Sequence, residues 1–217
     1  MPSTRLPGTE YDYLIIGAGT AGCVLAARLT EDPNVNVLLI EAGGEGRHPF
    51  IQVPALVGAA IARPELNWGW TTEPQAHLAD RRIPLPRGRG LGGTGAINGM
   101  AYFRGQPRDY DDWAAAGNAG WSWRDVLPYF TRSEDNADHP ASVWHGRGGP
   151  IRVAHIPKPN PLNQAFLSAF AAMGGYRACD DFNGPWPEGY GLRQGTIRNG
   201  RRDSTAAAYL RPALQRP

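Results

Sequence analysis

YDYLIIGAGTAGCVLAARLT, residues 11–30, opens on a short apolar run and breaks it with three glycines. Tyr13 to Ile16 reads as a strand buried in a parallel sheet, because such strands are apolar on both faces. Gly17, Gly19 and Gly22 follow at the spacing G-x-G-x-x-G. Ala21, Val24, Leu25 and Leu29 then share one helical face. After a Pro33-Asn34 turn, VNVLLI forms a second strand that ends at Glu41. The order is strand, glycine turn, helix, strand, acid. In that order Gly17 permits the tight turn, Gly19 lets a pyrophosphate approach the backbone, and Gly22 lets helix and strand pack closely. The helix N-terminus presents free N–H groups to the phosphates. Glu41 is placed to accept hydrogen bonds from ribose hydroxyls. The motif specifies a dinucleotide without separating FAD from NAD; the alternative is a glycine-rich turn with no ligand. Cys23 reads as a small core residue of the helix.

The bulk properties exclude several classes. With 41% hydrophobic and 19% charged residues, the chain reads as a globular protein. Its 28 glycines and 20 prolines among 217 residues predict a loop-rich fold. The 22 basic and 20 acidic residues are well mixed, which argues against a nucleic-acid surface. Arg198, Arg201 and Arg202 cluster and read as a solvated loop. Two cysteines, Cys23 and Cys179, make a disulfide framework improbable and fit a reducing cytoplasm. The polar N-terminus lacks the apolar core of a signal peptide. No apolar run approaches the ~20 residues of a transmembrane segment.

A second glycine-rich stretch, GRGLGGTGAINGMAYFRG at 88–105, contains seven glycines. Glycine is entropically costly to fold, so this density implies sharp turns or close approach of something large. RIPLPRG before it reads as a short strand or extended segment, and AINGMA can form a short helix. A second helix N-terminus approached by bare backbone suits one long dinucleotide; a glycine-rich hairpin is the plainer reading. Further on, PRDYDDWAAAG and WSWRDVLPYFTRSE read as helices, the second with a capping box from Ser122 and Asp125. GPIRVAHI reads as a strand. NPLNQAFLSAFAAMGG reads as an amphipathic helix with Leu162, Phe166, Phe170 and Met173 on one face and Gly174-Gly175 as its stop. Ser204 is placed to cap a helix running through Leu210.

These stretches carry a resemblance. YDYLIIGAGTAGCVLAARL, LLIEAGG, NWGWTTEPQ and above all GRGLGGTGAINGMAYFRGQPRDYDDW resemble the N-terminal part of the glucose-methanol-choline (GMC) family of FAD-dependent oxidoreductases. GWSWRDVLPYF, HGRGGPIRV and RNGRRDSTAAAYLRPAL add weaker echoes in family order. The tone is nearest to bacterial choline-dehydrogenase-like and alcohol-dehydrogenase-like members. The resemblance implies an α/β fold: an incomplete FAD/NAD(P)-binding Rossmann-like domain, with the first part of an α+β substrate domain. It implies an FAD-binding segment over residues 10–105. Residues 106–217 would be a lid and partial substrate region, with the last helix leading back towards the FAD domain.

The same resemblance implies the roles. Gly17, Gly19 and Gly22 would hold the FAD pyrophosphate, with Thr20 and Ala21 beside them. Glu41 would hold the adenosine ribose, with Ala42 next to it. Leu91, Gly93, Thr94, Asn98, Gly99, Met100 and Ala101 would line the flavin side. Gly95 stands where a serine is common. Ile97 stands where some members tether FAD through histidine, so non-covalent FAD is expected. No metal ligand is assigned. The implied reaction is oxidation of the CH–OH group of a small alcohol or choline-like substrate, with hydride passing to flavin N5 and the final electron acceptor open.

The family takes its catalytic histidine from a later part of the sequence, beyond the region matched here. His48, His77, His139, His145 and His155 read as surface or loop residues. On this reading the chain is an N-terminal fragment, inactive by itself. A nicotinamide dehydrogenase would leave the second glycine stretch unused. A non-catalytic flavin-binding remnant, or half of a split enzyme, is the remaining alternative. The seven tryptophans read as core residues rather than an aromatic cage.

Overall fold

The computed structural model describes residues 10–140 and 142–216. The chain is a mixture of helices and strands that divides into two compact units, Met1–Met100 with Asn199–Pro217, and Ala101–Arg198.

In the first unit, strand β1 (Tyr13–Ile16), helix α1 (Thr20–Leu29) and strand β2 (Val37–Ile40) form a βαβ unit. β1 and β2 pair in parallel, in register from Tyr13 opposite Val37 to Ile16 opposite Ile40. The α1 residues Cys23 and Ala26 pack with Ala18, Ala206 and Leu210, and Ile15, Val37, Leu39 and Leu91 close around them. Side chains alternate along a strand, so Leu14, Ile16, Leu38 and Ile40 point to the opposite face. That face is open, and Ile16 is 82% exposed. β1 therefore departs from the two-sided burial that its apolar run predicts, because α1 covers one sheet face only.

Helices α2 (Pro49–Gln52) and α3 (Val57–Ile61) build a second core with Leu66, Ala96 and Ile97. His48 caps α2, its Nδ1 accepting from the Phe50 N–H at 3.1 Å. β3 (Trp70–Thr71) and β4 (Pro84–Leu85) pair antiparallel. The RIPLPRG strand shrinks to two residues, since Pro84 and Pro86 bring no N–H to a ladder. Ser204 directly precedes the returning helix: its carbonyl accepts from the N–H groups of Ala207 and Ala208, both at 2.9 Å, and its hydroxyl makes only a long contact of 3.4 Å with the Ala207 N–H. Residues Ala206–Leu210 are wound as a π-helix that continues as Arg211–Ala213.

The second unit contains α4 (Pro107–Ala115), α5 (Trp123–Ser133), β5 (Glu134–Asn136), β6 (Ile151–His155), α6 (Pro161–Met173) and β7 (Gln194–Gly195). The three strands lie in the order β5-β6-β7, the first pair parallel and the second antiparallel. The Ser122–Asp125 capping box forms reciprocally on α5. α6 stops at Gly174 and Gly175, both at positive φ, but its apolar face is not buried: Leu162, Phe166 and Met173 are exposed. The tryptophans also depart from expectation, because none of the seven is buried. Trp113, Trp123 and Phe130 instead gather around Tyr110 between α4 and α5, with ring centroids 5.4 to 5.6 Å away.

The buried heart of this unit is polar. Glu134 and His145 have fully buried side chains. The Glu134 carboxylate accepts from Arg104, from Asn136 Nδ2 at 2.9 Å and from the Gly146 N–H at 2.9 Å. His145 Nδ1 lies 3.1 Å from Glu134 Oε1, and its Nε2 lies 2.9 Å from Asp181 Oδ2. His145 is thus no surface residue. Burial alone would lower its pKa, but the bonds to Asp181 and Glu134 outweigh that and hold it at about 9. A folded pKa above the ordinary 6.5 means that its stabilisation is complete below pH 6.5 and is lost as pH rises through 9. Urea midpoints for this unit should therefore fall steadily from pH 6.5 to 9. A flat profile there would contradict a charged His145.

Candidate cofactor site

The site is built where the first glycine turn meets the second. Gly17 has φ of +94°, a conformation open to glycine, and its N–H donates to Ile40 O at 2.7 Å. Gly19 is the N-cap of α1, and no side chain caps that helix end. The first turn of α1 carries no acid. Among the described residues, the N–H groups of Thr20, Ala21 and Gly22 find no protein acceptor. These are the orphan donors of a helix start, a type of group that can receive an anion.

Glu41 ties this turn to the rest. Its Oε2 accepts from the Ala18 N–H at 2.9 Å. Its Oε1 accepts from the N–H groups of Gly43 at 2.9 Å and Gly90 at 3.0 Å. The carboxylate joins three segments, and Oε2 still has a lone pair for a hydroxyl donor. Ala42 follows on the exposed end of β2.

The second glycine stretch lies directly on the first. Gly92 N–H donates to Ala18 O at 2.8 Å, and Leu91 N–H to Gly44 O at 2.9 Å. A Cβ on Gly93 would sit 2.7 Å from the Gly19 Cα, and one on Gly95 would sit 2.8 Å from Thr20 Oγ1. A Cβ on Gly43 would overlap the backbone of Gly90. Much of the glycine in this stretch is thus explained by backbone lying on backbone. The serine-sized side chain absent at Gly95 would meet Thr20.

The short helix expected over AINGMA is displaced. A single 3₁₀ turn spans Gly93–Ala96, and residues 97–100 are irregular. Ile97 is 2% exposed and packs with Ile51, Ala60, Leu66 and Ala96. Thr94 Oγ1 accepts from the Gly88 N–H at 3.2 Å. Asn98 and Gly99 are exposed, while Met100 is buried with φ of +56°. Ala101 opens the second unit, bridged to Gly195.

One residue of this neighbourhood escaped the sequence reading. Arg202 is 4% exposed rather than solvated. Its Nε donates to Ile51 O at 3.0 Å, and its Nη1 to Asn98 Oδ1 at 2.7 Å and Gly95 O at 3.3 Å. Burial pushes its pKa down to about 10. Three arginines within five residues look like a solvated patch, and only the distant carbonyls that receive Arg202 distinguish it.

The donor set and the open space fit a dinucleotide. A Cβ on Gly19 would meet nothing within 4 Å. Bare backbone, orphan N–H groups and empty space thus coincide at one helix end.

Residues 11–217 match the family model described as GMC oxidoreductase. The chain is 46% identical over 208 residues to an oxygen-dependent choline dehydrogenase of Sinorhizobium fredii, covering 96% of this chain and 38% of that protein. A protein of the same description from Brucella anthropi is 44% identical over the same shares of each chain. Among solved structures, pyridoxine 4-oxidase from Mesorbium loti superposes with a TM-score of 0.87 at 39% identity, over 95% of this chain and 40% of that one. An FAD-dependent oxidoreductase from Chaetomium thermophilum has a TM-score of 0.85 at 31% identity, over 96% and 37%. The chain spans well under half the length of these relatives. Among the described residues, no helix is long and apolar enough to cross a membrane.

Proposed function

This chain belongs to the GMC oxidoreductase family, and on that premise we propose that it is the FAD-holding part of an oxidoreductase acting on the CH–OH group of an alcohol or choline-like substrate. The single observation that carries this reading is the uncapped start of α1, whose free N–H groups face open space at Gly19. On this reading residues 10–105 form the FAD-binding segment of a Rossmann-like domain, and 106–217 a lid and partial α+β substrate region. When bound, FAD supplies the two-electron acceptor that takes hydride from the alcohol carbon, at flavin N5.

The chain's own residues bind and orient. Gly17 and Gly19 let the pyrophosphate approach the turn, and Thr20, Ala21 and Gly22 hold it by backbone N–H groups and the helix dipole. Glu41, with Ala42 beside it, takes the ribose through the free lone pair on Oε2. Leu91, Gly93, Thr94, Asn98, Gly99, Met100 and Ala101 support the flavin side. Ile97 is a buried alkyl group with no nucleophile to offer, which supports non-covalent attachment. The two cysteines are buried and free, which suits a cytoplasmic setting.

Three of the five histidines are already engaged, which supports a base from elsewhere in the enzyme. His145 has both ring nitrogens engaged, as does His155, with Asp138 and Leu192 O. His48 is spent on a helix cap. A second reading follows from the open face of Leu14, Ile16, Leu38 and Ile40: the chain binds flavin yet turns over alcohol only with further polypeptide covering that face. The test is titration of the chain with FAD, read by flavin fluorescence and visible absorbance. Binding is expected, with all flavin released into the supernatant on acid precipitation. Binding of NAD but not FAD would overturn the proposal, and flavin kept in the pellet would overturn non-covalent attachment.

A further inference from the structure

Asn98 is exposed, yet its side-chain oxygen is already committed. Oδ1 accepts from Arg202 Nη1 at 2.7 Å and from the Met100 N–H at 3.0 Å. Both partners can only donate, since a guanidinium and a backbone N–H carry no acceptor. The amide therefore has one allowed orientation, with oxygen inward and the NH₂ group outward. Turning it over would set two donors against two donors. Among the described residues, Nδ2 donates to no protein acceptor.

Arg202 is itself fixed. Its other bonds run to Ile51 O and Gly95 O, on two separate segments. Among the described residues no carboxylate pairs with it, and its Nη2 is buried without a partner. Holding a cation this way costs desolvation.

The chain also supplies a direction. Gly90 touches Glu41, at the ribose end of the proposed FAD site. Gly93 lies against Gly19, at the phosphate turn. Asn98 comes next along the same stretch, and the group next along FAD beyond the pyrophosphate is the ribityl flavin. We propose that Arg202 is a positioning residue that makes Asn98 an obligate donor, through Nδ2, to a carbonyl or ring nitrogen of the flavin. This rests on the FAD reading above and names the atom by which that site grips the ring.

Asn98→Asp separates this role from a structural one. The carboxylate keeps an oxygen towards Arg202 and Met100 and replaces only the outward NH₂ with an acceptor. Ligand-free melting temperature should rise, because Arg202 gains a counter-charge. FAD affinity should fall at least ~10-fold, the scale of one lost hydrogen bond. ADP, which has the pyrophosphate without the flavin, should bind both forms equally. Arg202→Met should also weaken FAD more than ADP, by freeing the Asn98 amide to turn. If Arg202→Met does not fold, Asn98→Asp still decides. FAD bound as tightly by Asn98→Asp as by the unmodified chain would overturn the proposal and leave the FAD reading standing. Equal losses for FAD and ADP would move the acceptor to the pyrophosphate and overturn it too. An unmodified chain that binds no FAD would overturn both.

Discussion

Glu134→Ala should cost the Ala101–Arg198 unit a large share of its stability at neutral pH. The Glu134 side chain is fully buried and receives Arg104, His145, Asn136 and the Gly146 N–H. Removing it leaves Arg104 a buried cation with no carboxylate and His145 with that of Asp181 alone. Breaking one partner out of a buried ion pair costs ~3–5 kcal/mol, because the remaining charge is neither solvated nor matched. Whole domains are stable by only ~5–15 kcal/mol. Glu134→Gln keeps an acceptor and the shape but loses the charge, so it should cost less. The measurement is urea unfolding followed by tryptophan emission, since Trp123 and Trp144 lie in this unit and Trp144 O itself accepts from Arg104. An unfolding curve for Glu134→Ala that overlays the unmodified chain would show that the buried charges are compensated elsewhere.

That network marks the limit of what the sequence discloses. The βαβ unit was legible because apolar periodicity and glycine spacing are local signals, and Gly17, Gly19 and Gly22 lie within six residues. The caps at Ser122 and the stop at Gly174 were legible for the same reason. His145 was not, because its burial depends on Glu134 and Asp181, eleven residues before it and thirty-six after it. Arg202 was missed likewise, since its partners Ile51 and Asn98 lie 151 and 104 residues away. Alternation shows which residues share a face but not whether anything covers it. Leu162, Phe166 and Met173 on α6 share a face as read, and it is open. Glu41 was read as a ribose ligand from its place after β2. Its bonds to Ala18 and Gly90 join the two glycine turns, a function that spacing alone does not reveal.

Gly22→Ala and Gly19→Ala should damage the proposed cofactor site in different ways, although both add one methyl group three residues apart. At Gly22 the new Cβ would overlap the Gly17 carbonyl oxygen and lie 3.4 Å from Ile15 Cγ2. The carbonyl is not free to move, because Gly17 is held at φ +94° and bonded to Ile40 O at 2.7 Å. The strain must shift α1, and with it the N–H groups of Thr20 and Ala21. Overpacking of this kind costs ~1–3 kcal/mol, and a similar loss at the site is ~10–100-fold in FAD affinity. At Gly19 the backbone has φ −70° and ψ −167°, which any residue can adopt. Its Cβ would meet nothing within 4 Å. The ligand-free melting temperature of Gly19→Ala should therefore match the unmodified chain while its FAD affinity falls, because the methyl would occupy the space that the proposed site gives to the phosphates. Gly22→Ala should lose both stability and affinity. Normal FAD binding by Gly19→Ala would mean that the phosphates do not reach this turn. The empty space beside Gly19 would then be only a surface feature of α1, and the uncapped N–H groups would be satisfied by water.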